Sequence, residues 1–354
     1  MNTLSQEIMK TANNSAIFNL YLYIADKAVP CSGETLKVIV RNLDADFKEQ
    51  KIRLWNPQEI YQLMILKNAV EARPDIASAV ISELTLSTNG MTACVFTMPD
   101  GEIHIAFKGT GTGEWIDNGE GLSGITDENT YIDYDGKGSI TAYRIVQDDY
   151  ATDQQVEALN WFRRIASENR WDKNRRIIVS GHSKGGNKAQ FITIHSDIVS
   201  MCFSFNGQGF SPEALESFRR IYADEYDTRR SRIYSFASEN DFVNILGEYL
   251  VPENQIYYFE SALRSHPIEF MLRPDGSFRG QCEQGWFSRY AESVSEDLMS
   301  LTPALRKYAA LGIMNVFQKY IAKDDAINGD IVSKEETLAG ISIAITMVMR
   351  RFKK

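Results

Sequence analysis

The sequence predicts an α/β protein with a mostly parallel sheet, and three observations carry that prediction. Short β-rich runs alternate with amphipathic helical segments from residue 92 to about 261; a glycine-bracketed serine stands between one such run and a helix; and helical patterning flanks the stretch on both sides. Residues 1–90 therefore read as a mainly helical region packed on a core of residues 91–282, with residues 283–354 as a C-terminal helical layer, the three forming one integrated domain. A chain of 354 residues with 44% hydrophobic and 24% charged residues can bury such a core.

In the first region the clearest element opens at Asn56-Pro57-Gln58-Glu59, where Asn56 can cap, Pro57 suits the first helical position and Glu59 can return a hydrogen bond. A helix of about sixteen residues is expected to follow, with Ile60, Leu63, Met64, Ala69 and Val70 on its core face. From residue 92, TACVFT and EIHIAF form a hairpin about Met98-Pro99-Asp100-Gly101 at the antiparallel edge of the sheet. Further strands read as RRIIVS (175–180), SMCFSF (200–205), SRIYSFAS (231–238) and QIYYFES (255–261). Between them, QQVEALNWFRRIASEN (154–169) has Val156, Leu159, Phe162 and Ile165 at helical spacing. Strand-helix-strand order implies right-handed crossovers. After Thr302-Pro303, a helix start, Leu305, Tyr308, Ile313, Val316 and Tyr320 are spaced for one buried face.

A formal net charge of -9 works against attraction to nucleic-acid phosphates, so a nucleic-acid partner is not expected. Cys31, Cys94, Cys202 and Cys282 are far apart with no CxxC pairing, as reduced thiols in a cytoplasm would be. The start, MNTLSQEIMKTANNSAIFNLYLYIA, lacks a basic segment followed by an uninterrupted apolar core, which also points to the cytoplasm. LAGISIAITMVM (338–349), followed by RRFKK, is too short to span a bilayer, which takes about 20 apolar residues. It reads as a buried terminal helix, with weak contact to an anionic membrane surface as the alternative. Neither a metal nor an organic cofactor is called for.

The chemistry centres on Gly181-His182-Ser183-Lys184-Gly185, a GxSxG pentapeptide after the strand RRIIVS and before a helix, the context a nucleophile elbow requires. Serine attacks acyl groups only with a base beside it, an acid orienting that base, and donors for the oxyanion. Of the four histidines, His104 is a structural strand residue, His182 flanks the serine and His195 lies a helix away. His266, in a loop before Pro267, is the expected base. Asp241, after SRIYSFAS, is the expected acid, with Glu239 its neighbour and competitor, and Ser183, Asp241, His266 follow the order of α/β-hydrolases. The backbone amides of Lys184 and Thr110 are the expected oxyanion donors. The alternative for the loop around Thr110, a phosphate-binding turn, fails at Glu114, where GxGxxG needs glycine.

These residues also carry a resemblance. AFKGTGTGEWIDN resembles a segment of class 3 lipases; GHSKGGNKA, FNGQGF, SENDFVNILG and RSHPIEFML resemble segments of the Mbeg-like, lipase-like α/β-hydrolases. The resemblance covers about residues 90–275 and implies an α/β-hydrolase fold, a triad of Ser183, Asp241 and His266, an oxyanion hole of Thr110 and Lys184, and Asp117 as the acid that supports the oxyanion loop. Lys188 departs from the leucine usual after GGN. The function expected is cleavage of small-molecule or lipid acyl esters. An amidase or thioesterase on the same triad, and a catalytically silent binding protein of this shape, are the alternatives. Substrate choice is expected to lie in residues 119–150, rich in Gly, Tyr and acids, which form either a mobile lid or an ordinary surface loop.

Overall fold

A computed structural model describes residues 4–28, 32–49, 55–86, 91–111, 115–261, 266–316, 318, 337–338, 340–343 and 345. The helices α1 (Gln6–Leu22), α2 (Leu36–Lys48), α3 (Pro57–Ala72) and α4 (Pro74–Ala77) lead into β1 (Val80–Thr85), β2 (Ala93–Thr97) and β3 (Ile103–Phe107). Next come α5 (Trp115–Ser123), a hairpin of β4 (Asp127–Tyr134) and β5 (Ile140–Asp149), α6 (Asp153–Glu168), β6 (Ile177–His182) and α7 (Lys184–His195). The remainder is β7 (Met201–Phe205), α8 (Pro212–Tyr222), α9 (Tyr226–Arg230), β8 (Ile233–Ser238), β9 (Ile256–Phe259), β10 (Gln281–Cys282), α10 (Trp286–Met299) and α11 (Pro303–Val316).

The main sheet has the order β1-β2-β3-β6-β7-β8-β9-β10. β3, β6, β7, β8 and β9 run parallel, and the antiparallel strands β1, β2 and β10 complete the two edges. This is the α/β-hydrolase arrangement the sequence predicts. The β2–β3 turn closes by a bond from the Gly101 amide to the Met98 carbonyl, with Gly101 at a φ of 88° that suits glycine.

Strand alternation sends side chains to two separate cores. Cys94, Phe96, Ala106 and Ile178 face the N-terminal helices; Ala93, Val95, Ile105 and Val179 face α6 and α7. α1 lies against β3 and β6 with a seam of buried polar groups among its apolar ones. Asn19 donates to the Ser180 hydroxyl, Ser15 bonds His104 Nδ1, and the other nitrogen of His104 meets Glu102 at 2.6 Å. His104 is thus a strand residue with both ring nitrogens used. At the next turn, Phe18 stacks on Phe96 with ring centroids 4.2 Å apart.

Several sequence expectations are corrected. β1 falls within the stretch read as mostly helical; its polar Ser82-Glu83 hides it, because a register shift between Ile81 and Glu83 breaks the alternation. α3 begins with the expected capping box on Asn56 and Glu59 and buries Leu63, Ala69 and Val70, yet Ile60 and Met64 are exposed. Its inward face includes Gln62 instead. On α11, Leu305 and Tyr308 are exposed, while Arg306, Ala310 and Met314 are buried. The helix is turned by Arg306, whose guanidinium makes two bonds to the Glu213 carboxylate and one to the Leu301 carbonyl. The side chains of Val316 and Tyr320 lie outside the described residues.

Residues 119–150 are not an irregular loop. They hold the end of α5 and the β4–β5 hairpin, which Asn160 of α6 fastens by accepting from the Ile132 amide and donating to the Thr130 carbonyl. In the terminal apolar stretch Gly340 packs against Gly312, but Leu338 and Ile345 are exposed; RRFKK lies outside the described residues. No helix among the described residues is long and apolar enough to cross a membrane.

Phe18 joins α1 to the sheet with no exposed surface. Phe18→Ala is expected to cost about 3–5 kcal/mol, read by urea unfolding, because the rigid sheet beneath it cannot collapse into the cavity.

Candidate active site

The site is built where β6 ends and α7 begins. Ser183 is the turn residue, at φ 58° and ψ -127°, a conformation that costs a non-glycine residue about 1–3 kcal/mol. The turn is tight enough that a Cβ on Gly181 would lie 2.0 Å from the Gly185 carbonyl oxygen, and one on Gly185 would lie 2.0 Å from that of Phe107. Only glycine fits either position. The Ser183 amide donates to the Phe205 carbonyl at 2.9 Å, which ties the turn to the end of β7.

The structure brings Ser183, His266 and Asp241 into one hydrogen-bonded chain. His266 Nε2 is 3.0 Å from Ser183 Oγ, and His266 Nδ1 is 2.8 Å from Asp241 Oδ1. An ionised carboxylate only accepts, so Nδ1 carries the hydrogen and Nε2 is left to accept from the serine. Asp241 has no exposed surface, and its second oxygen accepts from the amides of Val243 at 3.0 Å and Asn244 at 2.7 Å. Those bonds fix the carboxylate on the turn that follows β8. Glu239, the competitor, stands at the end of the same strand with its amide bonded to the Phe259 carbonyl. His195, at the far end of α7, bonds Tyr222 and takes no part.

Thr110 leaves β3 directly above this turn. A Cβ on its neighbour Gly109 would be 3.0 Å from the Ser183 Cβ and from the His182 carbonyl oxygen. The Thr110 hydroxyl accepts from Asn118 Nδ2 at 2.8 Å, which ties the loop to α5. Lys184 is the first residue of α7, where amides have no partner within the helix and the dipole is positive. Thr112 to Glu114 lie outside the described residues.

The Lys184 side chain has its own place, which sequence reading left out. Its ammonium is fully buried 2.6 Å from Asp117 Oδ2. The same carboxylate accepts from the Thr152 hydroxyl at 2.8 Å and the Gln154 amide at 3.1 Å, so Asp117 binds α5 to the start of α6 and to the elbow. Around it, Gln155 donates to Asn187, Asn187 donates to the Gly209 carbonyl and Gln208 donates to the Asn118 carbonyl. Asn187 stands in GHSKGGNKA and Gln208 in FNGQGF, so the polar residues of those two segments are the sequence signal for this network.

His182 is also buried beside the site. Burial, and then the neighbouring His266, push its imidazole down to about 3, so it stays neutral. The unfolded chain takes up that proton near pH 6.5, so stability falls as pH drops below 6.5, by about 1.4 kcal/mol per unit from this group. Equilibrium unfolding between pH 7 and pH 5 checks it, and a flat profile would count against a buried neutral ring. Asp117→Asn should cost about 3–5 kcal/mol in urea unfolding, since it strands the Lys184 ammonium without a counter-charge. Adding Lys184→Met to that variant should restore part of the loss.

Residues 146–255 match the model of the family described as Mbeg1-like. The match contains Ser183, Lys184 and Asp241; Thr110, Asp117 and His266 lie outside it. No curated protein matches significantly. Among solved structures, lipase II from Rhizopus niveus is similar over 77% of this chain and 96% of its own, at 12% identity and a TM-score of 0.40. A predicted CIB-like hydrolase from Thermoplasma acidophilum is similar over 63% of this chain and 100% of its own, at 15% identity and a TM-score of 0.28. By its sheet order and parallel strands the chain carries an α/β-hydrolase fold, and its segment from residue 146 to 255, elbow included, resembles the Mbeg1-like family.

Proposed function

We propose that the protein is a serine hydrolase of lipase or esterase type. His266 takes the proton from Ser183 Oγ as that oxygen attacks the carbonyl carbon of an acyl ester. The amides of Thr110 and Lys184 receive the oxyanion, at a place where preorganised donors are worth far more than water. Asp241 keeps the imidazole in the productive tautomer and stabilises its cation. His266 then protonates the leaving alkoxide, and water, activated by the same base, releases the acid from the acyl-enzyme.

The observation that carries this reading is the pair of bonds on His266, 3.0 Å to the serine and 2.8 Å to a buried carboxylate. A hydroxyl so placed differs from an ordinary serine in having a ring nitrogen within hydrogen-bond reach to take its proton. Lys184 contributes its amide; its charge is already engaged by Asp117.

The purified protein should be labelled by a fluorophosphonate and should turn over short or long acyl esters, and Ser183→Ala should abolish both, with turnover falling on the order of 10⁴-fold or more. A wild-type protein that resists the label would instead be a silent binder of hydrolase shape. Labelling without ester turnover, but with release of an amine or a thiol from matched amides or thioesters, would reassign the leaving group.

A further inference from the structure

The hydrogen bonds about His266 extend past Asp241 and Ser183. We propose that Tyr23, on the cap that ends α1, and His182, the residue before the serine, are positioning residues that hold the base by its own main-chain carbonyl. This inference rests on the reading of Ser183 and His266 as the reacting pair.

Three bonds define the device. The Tyr23 hydroxyl is 2.5 Å from His182 Nδ1; His182 Nε2 is 2.8 Å from the His266 carbonyl oxygen; and Asn206 Nδ2 donates to that same oxygen at 2.6 Å. A carbonyl oxygen only accepts, so His182 must present Nε2–H to it. A neutral imidazole has one N–H, which leaves Nδ1 as the acceptor of the Tyr23 hydroxyl. The His266 carbonyl therefore fixes the tautomer of His182, and Tyr23 holds that ring in place by donating to the Nδ1 lone pair the tautomer leaves. Without that hydroxyl the buried Nδ1 loses its donor, and the ring is free to shift off the line that joins its Nε2–H to the carbonyl.

The second donor is itself immobilised. Asn206, fully buried at φ 47°, accepts from the Ser238 amide at 2.7 Å and donates its own amide to the Phe236 carbonyl at 2.9 Å. The carbonyl of His266 is thus gripped from the ends of β6 and β7, the two strands that flank the elbow. The imidazoles of His182 and His266 pack with centroids 4.9 Å apart, so the ring below also limits the tilt of the ring above. Tyr23 reaches the other half of the site as well. A Cβ on Gly109 would lie 2.8 Å from the Tyr23 hydroxyl, and the Lys108 ammonium stands 5.4 Å from the Tyr23 ring centroid. One side chain from α1 therefore touches both the seat of the base and the segment leading to Thr110, which gives the N-terminal helix a part in the chemistry.

Tyr23→Phe removes the hydroxyl and keeps the ring. With an ester substrate and the full chain, it should lower kcat about 10- to 100-fold, the range that a small misplacement of a reacting group produces, with KM within about twofold. The double variant with His182→Ala should lose no more than His182→Ala alone, because the two residues act in series. In proton NMR the hydrogen between His266 and Asp241 should resonate far downfield in the wild type and broaden in Tyr23→Phe, while the ¹⁵N shift of His182 Nδ1 changes as its hydrogen bond is lost. An unchanged kcat with an unchanged downfield resonance would overturn the proposal, as would losses that simply add. A downfield resonance that responds to Tyr23→Phe in a protein that turns over no substrate supports the positioning device and sinks the hydrolase reading instead.

Discussion

The closeness of main chains around Ser183 is the constraint from which the rest follows. β3, β6, the first turn of α7 and the segment after β7 converge until a methyl group on Gly181, Gly185 or Gly186 would collide with a neighbour. That closeness leaves the serine hydroxyl at the rim of the sheet and brings the ends of β3, β7 and β8 within reach of it. The strained backbone of Ser183 is held because its amide, and the amide of Gly186 onto its carbonyl, are bonded on both sides. A looser turn would let every donor and acceptor in the site drift together.

Beneath the turn, the core is polar where a small domain would ordinarily be apolar. The Asp117–Lys184 pair, with Thr152, Gln155, Asn187 and Gln208, forms a connected set of hydrogen bonds between α5, α6, α7 and the segment after β7. Such a set adds little net stability beyond what apolar packing would give, but it accepts only one arrangement of the elements it joins. It thereby sets the height of the loop carrying Thr110 relative to Ser183. α11 completes the support from outside, packing so closely on α5 that a Cβ on Gly119 would lie 2.9 Å from Leu311.

Much of this was legible because it is local. The strand, the glycines and the helix around Ser183 are contiguous, and Asp241 and His266 each follow a recognisable strand, so order along the chain suggested convergence. Features that depend on distant partners were not legible. Tyr23 ends one helix and His182 lies 159 positions later, and nothing near either residue announces the other. Arg306 reads as a surface cation until Glu213, 93 positions away, is placed beside it, and so apolar spacing alone gives the wrong phase for α11. β1 and the β4–β5 hairpin have irregular alternation, since β1 is bulged and residues 140–145 of β5 are exposed on both faces. β4 buries only Asn129 and Tyr131, so pairing carries most of the hairpin's strand character.

The seam on α1 also bears on how the chain reaches its native state. Asn13 donates to the Gly276 carbonyl, Asn19 to Ser180 and Ser15 bonds His104, spanning 263, 161 and 89 positions. During synthesis this helix emerges long before any of those partners, carrying polar groups that have nothing but water to satisfy them. Closure of the sheet on α1 is therefore a late, non-local step with a large loop entropy, and such topologies fold slowly and depend on protection from aggregation until their last strands arrive.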